Sequence, residues 1–176
     1  MKKLLALMPI LLLSANAAYA QETYELPDAT ATPDNPILYF FDRLLEPLEL
    51  FVAGLPPPFG DGDEGRARKL LEIAGERLAE AKLMAERNRT EHIESLMEEY
   101  NESMSECLHL CNQLNSTELY SLVSNATSTH QTVLQEVKEK VPEEAKDWIE
   151  KAIDVSQEGH EQATEHIQKY GGKNKF

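Results

Sequence analysis

The chain has 176 residues, with 31 acidic, 17 basic, five histidines and two cysteines. That length fits one domain, and 41% apolar residues supply a core. A formal charge of −14 excludes the basic face that a nucleic-acid binder needs, and eight glycines and nine prolines are too few for a collagen-like or low-complexity chain.

Residues 1–20 read as a secretory signal. Lys2 and Lys3 form a basic start, Leu4 to Leu13 an apolar stretch too short to span a bilayer, and Ala18-Tyr19-Ala20 a small-x-small cleavage site. Cleavage after Ala20 predicts a protein that is secreted or held on the exterior of the cell envelope. It would begin at Gln21 with a charge of −16, because Lys2 and Lys3 leave and no acid does. The alternative is an uncleaved N-terminal anchor. No later apolar run approaches ~20 residues, so no transmembrane segment follows the cut.

Residues 21–35 are polar, contain prolines and lack periodicity, and read as a flexible leader. A first helix is expected from about Ile37 to Ala53, with Pro36 at its start. Phe40, Leu44, Leu48 and Phe51 share one face, and Pro47 should kink or shift the helix. The run Gly54 to Gly60 holds three consecutive prolines and reads as a stiff spacer.

Four long helices follow. The second, from about Asp63 to Arg87, carries Ala67, Leu71, Ala74, Leu78, Ala81 and Ala85 in a heptad-like rhythm. The third, from about Glu91 to Leu114, repeats it with Ile93, Met97, Tyr100, Met104, Cys107, Cys111 and Leu114. Asn115-Ser116-Thr117 supplies a turn and caps. The fourth, from about Glu118 to Lys140, has the stripe Leu119, Val123, Ala126, His130, Val133 and Val137. Pro142 opens the fifth, where Ala152, Ser156, Gly159 and Ala163 are small enough for another helix to pass close. The expected fold is all-α: an up-and-down bundle of four long helices plus an aromatic-rich leading helix, over residues 36–172, with a tail at 173–176.

The stretch Pro33-Asp34-Asn35-Pro36-Ile37-Leu38-Tyr39-Phe40-Phe41-Asp42-Arg43-Leu44 resembles the opening of domain-of-unknown-function family 5667, exported helical proteins of archaea and bacteria. Leu78-Ala79-Glu80-Ala81, Glu98-Glu99-Tyr100 and Val141-Pro142-Glu143-Glu144-Ala145 resemble that family's helices, and the likeness covers about residues 33–165. The resemblance implies an exported helical protein and brings no activity, cofactor or catalytic residue.

The residues that could carry chemistry are few. Four Asn-x-Ser/Thr sequons, at Asn88, Asn101, Asn115 and Asn125, exceed the roughly one expected by chance and are glycosylation candidates. Capping at helix ends accounts for Asn88 and Asn115 equally well. Cys107 and Cys111 lie one turn apart on an inward stripe. They read as buried thiols, as a strained disulfide, or as a soft-metal site for copper or zinc that Met104 and His160 could complete. Glu106-x-x-His109 has no second copy, as a di-iron centre requires, and Asp61 to Gly65 lacks the register of a calcium loop. His130 reads as a satisfied core histidine. No phosphate loop or nucleophile elbow is present, so no enzyme and no cofactor are expected.

The expected function is therefore that of a non-enzymatic exported module acting through its surface. Tyr39, Phe40, Phe41 and Phe51 put large aromatics on more than one side of the leading helix, as for a protein partner or for self-association. The alternatives are a soft-metal binding protein and an exported holdase chaperone.

Overall fold

A computed structural model describes residues 24–29 and 31–171. The signal and the tail fall outside the described residues. Among the described residues there are five helices: α1 (Pro36–Ala53), α2 (Gly62–Glu86), α3 (Ile93–Leu114), α4 (Thr117–Lys140) and α5 (Glu143–Tyr170), with a 3₁₀ turn (Thr90–His92) leading into α3. There is no strand among the described residues. The fold is an all-α helical bundle.

The helix ends follow local chemistry. Asn115 takes a left-handed φ of 52° and stops α3. Ser116 then caps α4, its hydroxyl accepting from the Leu119 amide at 3.4 Å. Lys138 and Lys140 lie in the last turn of α4, and Glu143 and Glu144 in the first turn of α5, each suited to the helix dipole there.

Cross-helix pairs fix the topology. Arg66 meets Glu106 and Arg77 meets Glu99, so α2 and α3 are antiparallel. Thr127 meets Ser156, and Lys138 meets Glu150, so α4 and α5 are antiparallel. Arg68 with Glu118, Lys82 with Glu136 and Glu86 with Lys140 advance together, so α2 and α4 lie side by side in parallel. Asn112 with Gln162 and Leu108 with Gly159 do the same for α3 and α5. The bundle is thus two antiparallel hairpins set side by side, and the consecutive helices α3 and α4 face each other across the core diagonal. Every residue of the stripes on α2 and α4 is buried, as are Ile93, Met97, Tyr100, Met104, Cys107 and Cys111 on α3, whereas Leu114, the last of the α3 stripe, is exposed where the helix ends at Asn115. At Gly159 a methyl group would come within 3.3 Å of the Leu108 side chain, the close approach expected of the small stripe on α5.

Two segments depart from the sequence expectation. The stretch read as a flexible leader is docked where it is described. Thr129 donates to the Tyr24 carbonyl at 3.2 Å, the Tyr24 hydroxyl lies 3.3 Å from His130 Nε2, and Ala31 and Thr32 are buried. Gly75 allows it, because a methyl group there would press on the Tyr24 hydroxyl and on Pro27 Cδ. A polar, proline-containing run lacks helical periodicity without lacking contacts. The proline spacer, in turn, reverses the chain. Phe59 donates to the Pro56 carbonyl, Asp61 to that of Ala53, and Gly62 to that of Leu55. Gly60 fits because any side chain there would strike the carbonyls of Ala53 and Leu55. The reversal lays α1 back along α2, and α1 continues through Pro47 as one helix.

Candidate functional site

Helix α1 is amphipathic, and it docks on the bundle with its charged side. At 100° per residue, Tyr39, Asp42, Arg43, Glu46, Glu49 and Leu50 share one half of the helix. That half faces α2 and α3. Arg43 pairs with Glu46 at 3.0 Å and with Glu99 of α3. Glu46 pairs with Arg77 of α2, and Glu49 with Lys69 at 2.8 Å. The Arg43 guanidinium also sits 5.0 Å from the centre of the Tyr39 ring. Asp34, just ahead of α1, accepts from Arg87 at 2.6 Å and ties the start of the helix to the far end of α2.

At the root of this contact, Arg77 is completely buried. It reaches Glu80 at 2.6 Å and Glu99 at 3.0 Å besides Glu46. Its Nη1 donates to Glu80 Oε1, while Nε and Nη2 face Glu99 and Glu46 as ion pairs. Burial lowers the Arg77 pKa and pushes that of Glu80 up to about 7, against the pull of Arg77. Oε2 of Glu80 has no hydrogen-bond partner. Between α1 and the bundle lies a groove of about 270 Å³, lined by Arg43, Glu46, Leu50, Glu99, Glu102 and Glu106 among others.

The opposite half of α1 faces outward and is apolar. Ile37, Leu38, Phe40, Phe41, Leu44, Leu45, Leu48, Phe51 and Val52 are each 42–69% exposed, and no residue of α1 is buried. The stripe of Phe40, Leu44, Leu48 and Phe51 is the outward one. Tyr39 belongs to the inner side. Phe40 and Phe41 touch edge to face, ring centres 5.7 Å apart. Placing charge inside and apolar groups outside inverts the usual arrangement of a surface helix. The reason lies in the surface beneath it: α2 and α3 offer Lys69, Arg77 and Glu99 there, which match Glu49, Glu46 and Arg43.

The other candidates stand apart. Cys107 and Cys111 are free, buried thiols. A hydrogen bond between them, with burial, holds Cys107 well above the ordinary thiol range. Met104 is buried on the same stripe. His160 is engaged on α4 instead, its Nδ1 lying 3.2 Å from both the Ser124 carbonyl and Thr127 Oγ1. No three histidine, cysteine or acidic side chains among the described residues come together to hold a metal ion. Glu106 is taken by Arg66, and His109 by Gln113.

Asn88 is exposed in the turn after α2 with a left-handed φ of 56°. Asn115 is exposed too, but its Oδ1 accepts from His166 Nε2 at 2.9 Å. Asn101 and Asn125 are half-buried within α3 and α4. Sequence reasoning missed Arg77 and Glu80, whose only signal was an Arg-x-x-Glu spacing on a helix already crowded with charge.

No helix among the described residues is long and apolar enough to cross a membrane. The family model described as a domain of unknown function, DUF5667, matches residues 30–144, from the approach to α1 through the start of α5. No curated protein and no solved structure matches.

Proposed function

The chain belongs to the DUF5667 family, and from that premise, which carries no reaction, we propose that it is an exported, non-enzymatic module that works by docking through the outward face of α1. One observation carries this reading: an amphipathic helix is fastened by its charged side and leaves nine large apolar residues in water. Monomeric proteins rarely expose an apolar patch beyond ~600 Å² unless it binds something. The export part rests on the basic start, apolar stretch and small-x-small site within residues 1–20. The acidic charge of −14 directs the module toward protein rather than nucleic acid.

The test replaces Phe40 and Phe41 by Ser together. They are 60% and 57% exposed, so the melting temperature of the monomer should move little. Retention of the exported protein at the envelope, or its association in light scattering, should fall. A much lower monomer melting temperature with unchanged association would show that the aromatics serve only the fold.

A further inference from the structure

The pattern along the outward face of α1 is self-complementary. Taken about the height of residue 46, Phe41 mirrors Phe51, Leu44 mirrors Leu48 and Phe40 mirrors Val52. In an antiparallel pair of such helices related by a two-fold axis, each of these residues comes level with its mirror on the other chain. The members of each pair sit on opposite flanks of the ridge, so they interleave rather than collide. Resting on the interaction-module reading, we propose that the occupant of this face is a second copy of the same chain, packed α1 against α1 in an isologous dimer.

Area and charge support that occupant. The nine residues of α1, with Phe59 in the following loop at 74% exposure, each offer on the order of 100 Å², or roughly 1,000 Å² per copy. A stable interface needs ~800 Å² per partner. The outward half carries no charge, and three of the four charged residues of α1, Arg43, Glu46 and Glu49, are engaged with Glu99, Arg77 and Lys69. Two copies can therefore meet without burying a charge. A membrane surface fits less well. Helices that lie in a bilayer interface carry Lys and Arg along their flanks, whereas α1 has three acids and one base, and a chain of charge −14 is repelled by anionic lipid.

The experiment is analytical ultracentrifugation of the natively exported protein across the micromolar range, beside a variant with Leu44→Glu and Leu48→Glu. A concentration-dependent dimer is expected, weakened at least ~100-fold in the variant while its monomer melts normally. Cross-linking supplies the register and does not depend on that variant folding. A Phe41→Cys chain mixed with a Phe51→Cys chain should link through a short bismaleimide. Phe41→Cys alone should not, because the two copies of position 41 lie about 15 Å apart along the helices. Equal linking of Phe41→Cys with itself, a dimer indifferent to the charged variant, or a monomer throughout would overturn the proposal. A monomer that binds neutral phosphatidylcholine vesicles through α1 would replace the second copy by lipid and leave the interaction-module reading standing. A monomer that binds neither, with normal envelope retention in the Phe40→Ser, Phe41→Ser variant, would overturn both.

Discussion

Replacing Arg77 by Met is expected to cost about 3–5 kcal/mol of stability at pH 8 and distinctly less at pH 5. Arg77 is wholly buried, and its loss takes from Glu80 its hydrogen-bonded counter-charge and leaves only the weaker field of Arg43. The pH dependence comes from Glu80. Its folded pKa, about 7, is raised above the ordinary carboxyl value of 4.5. The stability that goes with the neutral acid is therefore fully present below pH 4.5 and is lost as pH rises through 7. At pH 5 Glu80 is already protonated and needs Arg77 little. At pH 8 it must either ionise unpaired or hold its proton against the solvent. The double variant Arg77→Met with Glu80→Met should recover most of the loss, since an apolar pair of similar volume often equals a buried ion pair. Urea unfolding at the two pH values measures this. An equal cost at both would mean that Glu80 is not the group left stranded.

The second large effect centres on His130, which is fully buried where α4 faces α3 across the core. Its Nδ1 lies 3.2 Å from the Tyr100 hydroxyl and its Nε2 3.3 Å from that of Tyr24, so a neutral ring uses both nitrogens. Burial lowers its pKa to about 3 from 6.5. The unfolded chain therefore binds one more proton than the folded one between those values. The stability gained from a neutral His130 is full above pH 6.5 and is lost as pH falls toward 3, at about 1.4 kcal/mol per pH unit. His130→Gln removes that slope. The variant should be about 1–3 kcal/mol less stable than the parent at pH 7.5, where Tyr100 and Tyr24 lose a well-placed partner. Its deficit should shrink and change sign below about pH 5. Glu80 titrates in both proteins and cancels from the difference. A constant deficit from pH 7.5 to 4 would show that His130 is not held neutral.

The bundle was legible because its signal is repetitive. Ala67, Leu71, Ala74, Leu78, Ala81 and Ala85 recur at helical spacing, and one packing solution satisfies all of them at once. The diagonal placement of α3 and α4 was not legible. The two-residue link at Asn115 and Ser116 closes an antiparallel turn whichever corner of the bundle α4 then occupies. The core role of His130 was readable from its stripe, but its Tyr24 partner was not, because the leader has no periodicity to declare its contacts. The aromatics of α1 were visible as an anomaly. Which side of α1 faces out was not, because that depends on Arg77, Lys69 and Glu99 on other helices. Local hydrophobic patterning would have turned Phe40 and Leu44 inward. Long-range charge matching turned them outward, and single-sequence periodicity does not register such pairs.

The orientation of α1 is the claim on which the functional reading depends, and thiol labelling measures it directly. Single cysteines would be placed by Leu44→Cys, Leu48→Cys and Leu50→Cys, with protein dilute enough to be monomeric. Cys107 and Cys111 are buried and give a silent background. Leu50 packs against the bundle core, whereas Leu44 and Leu48 are exposed. Positions 44 and 48 are expected to react at about the rate of an unstructured thiol, and position 50 ~10-fold or more slowly. Protection at 44 and 48 with rapid labelling at 50 would mean that α1 docks by its apolar face and leaves no apolar docking surface outside.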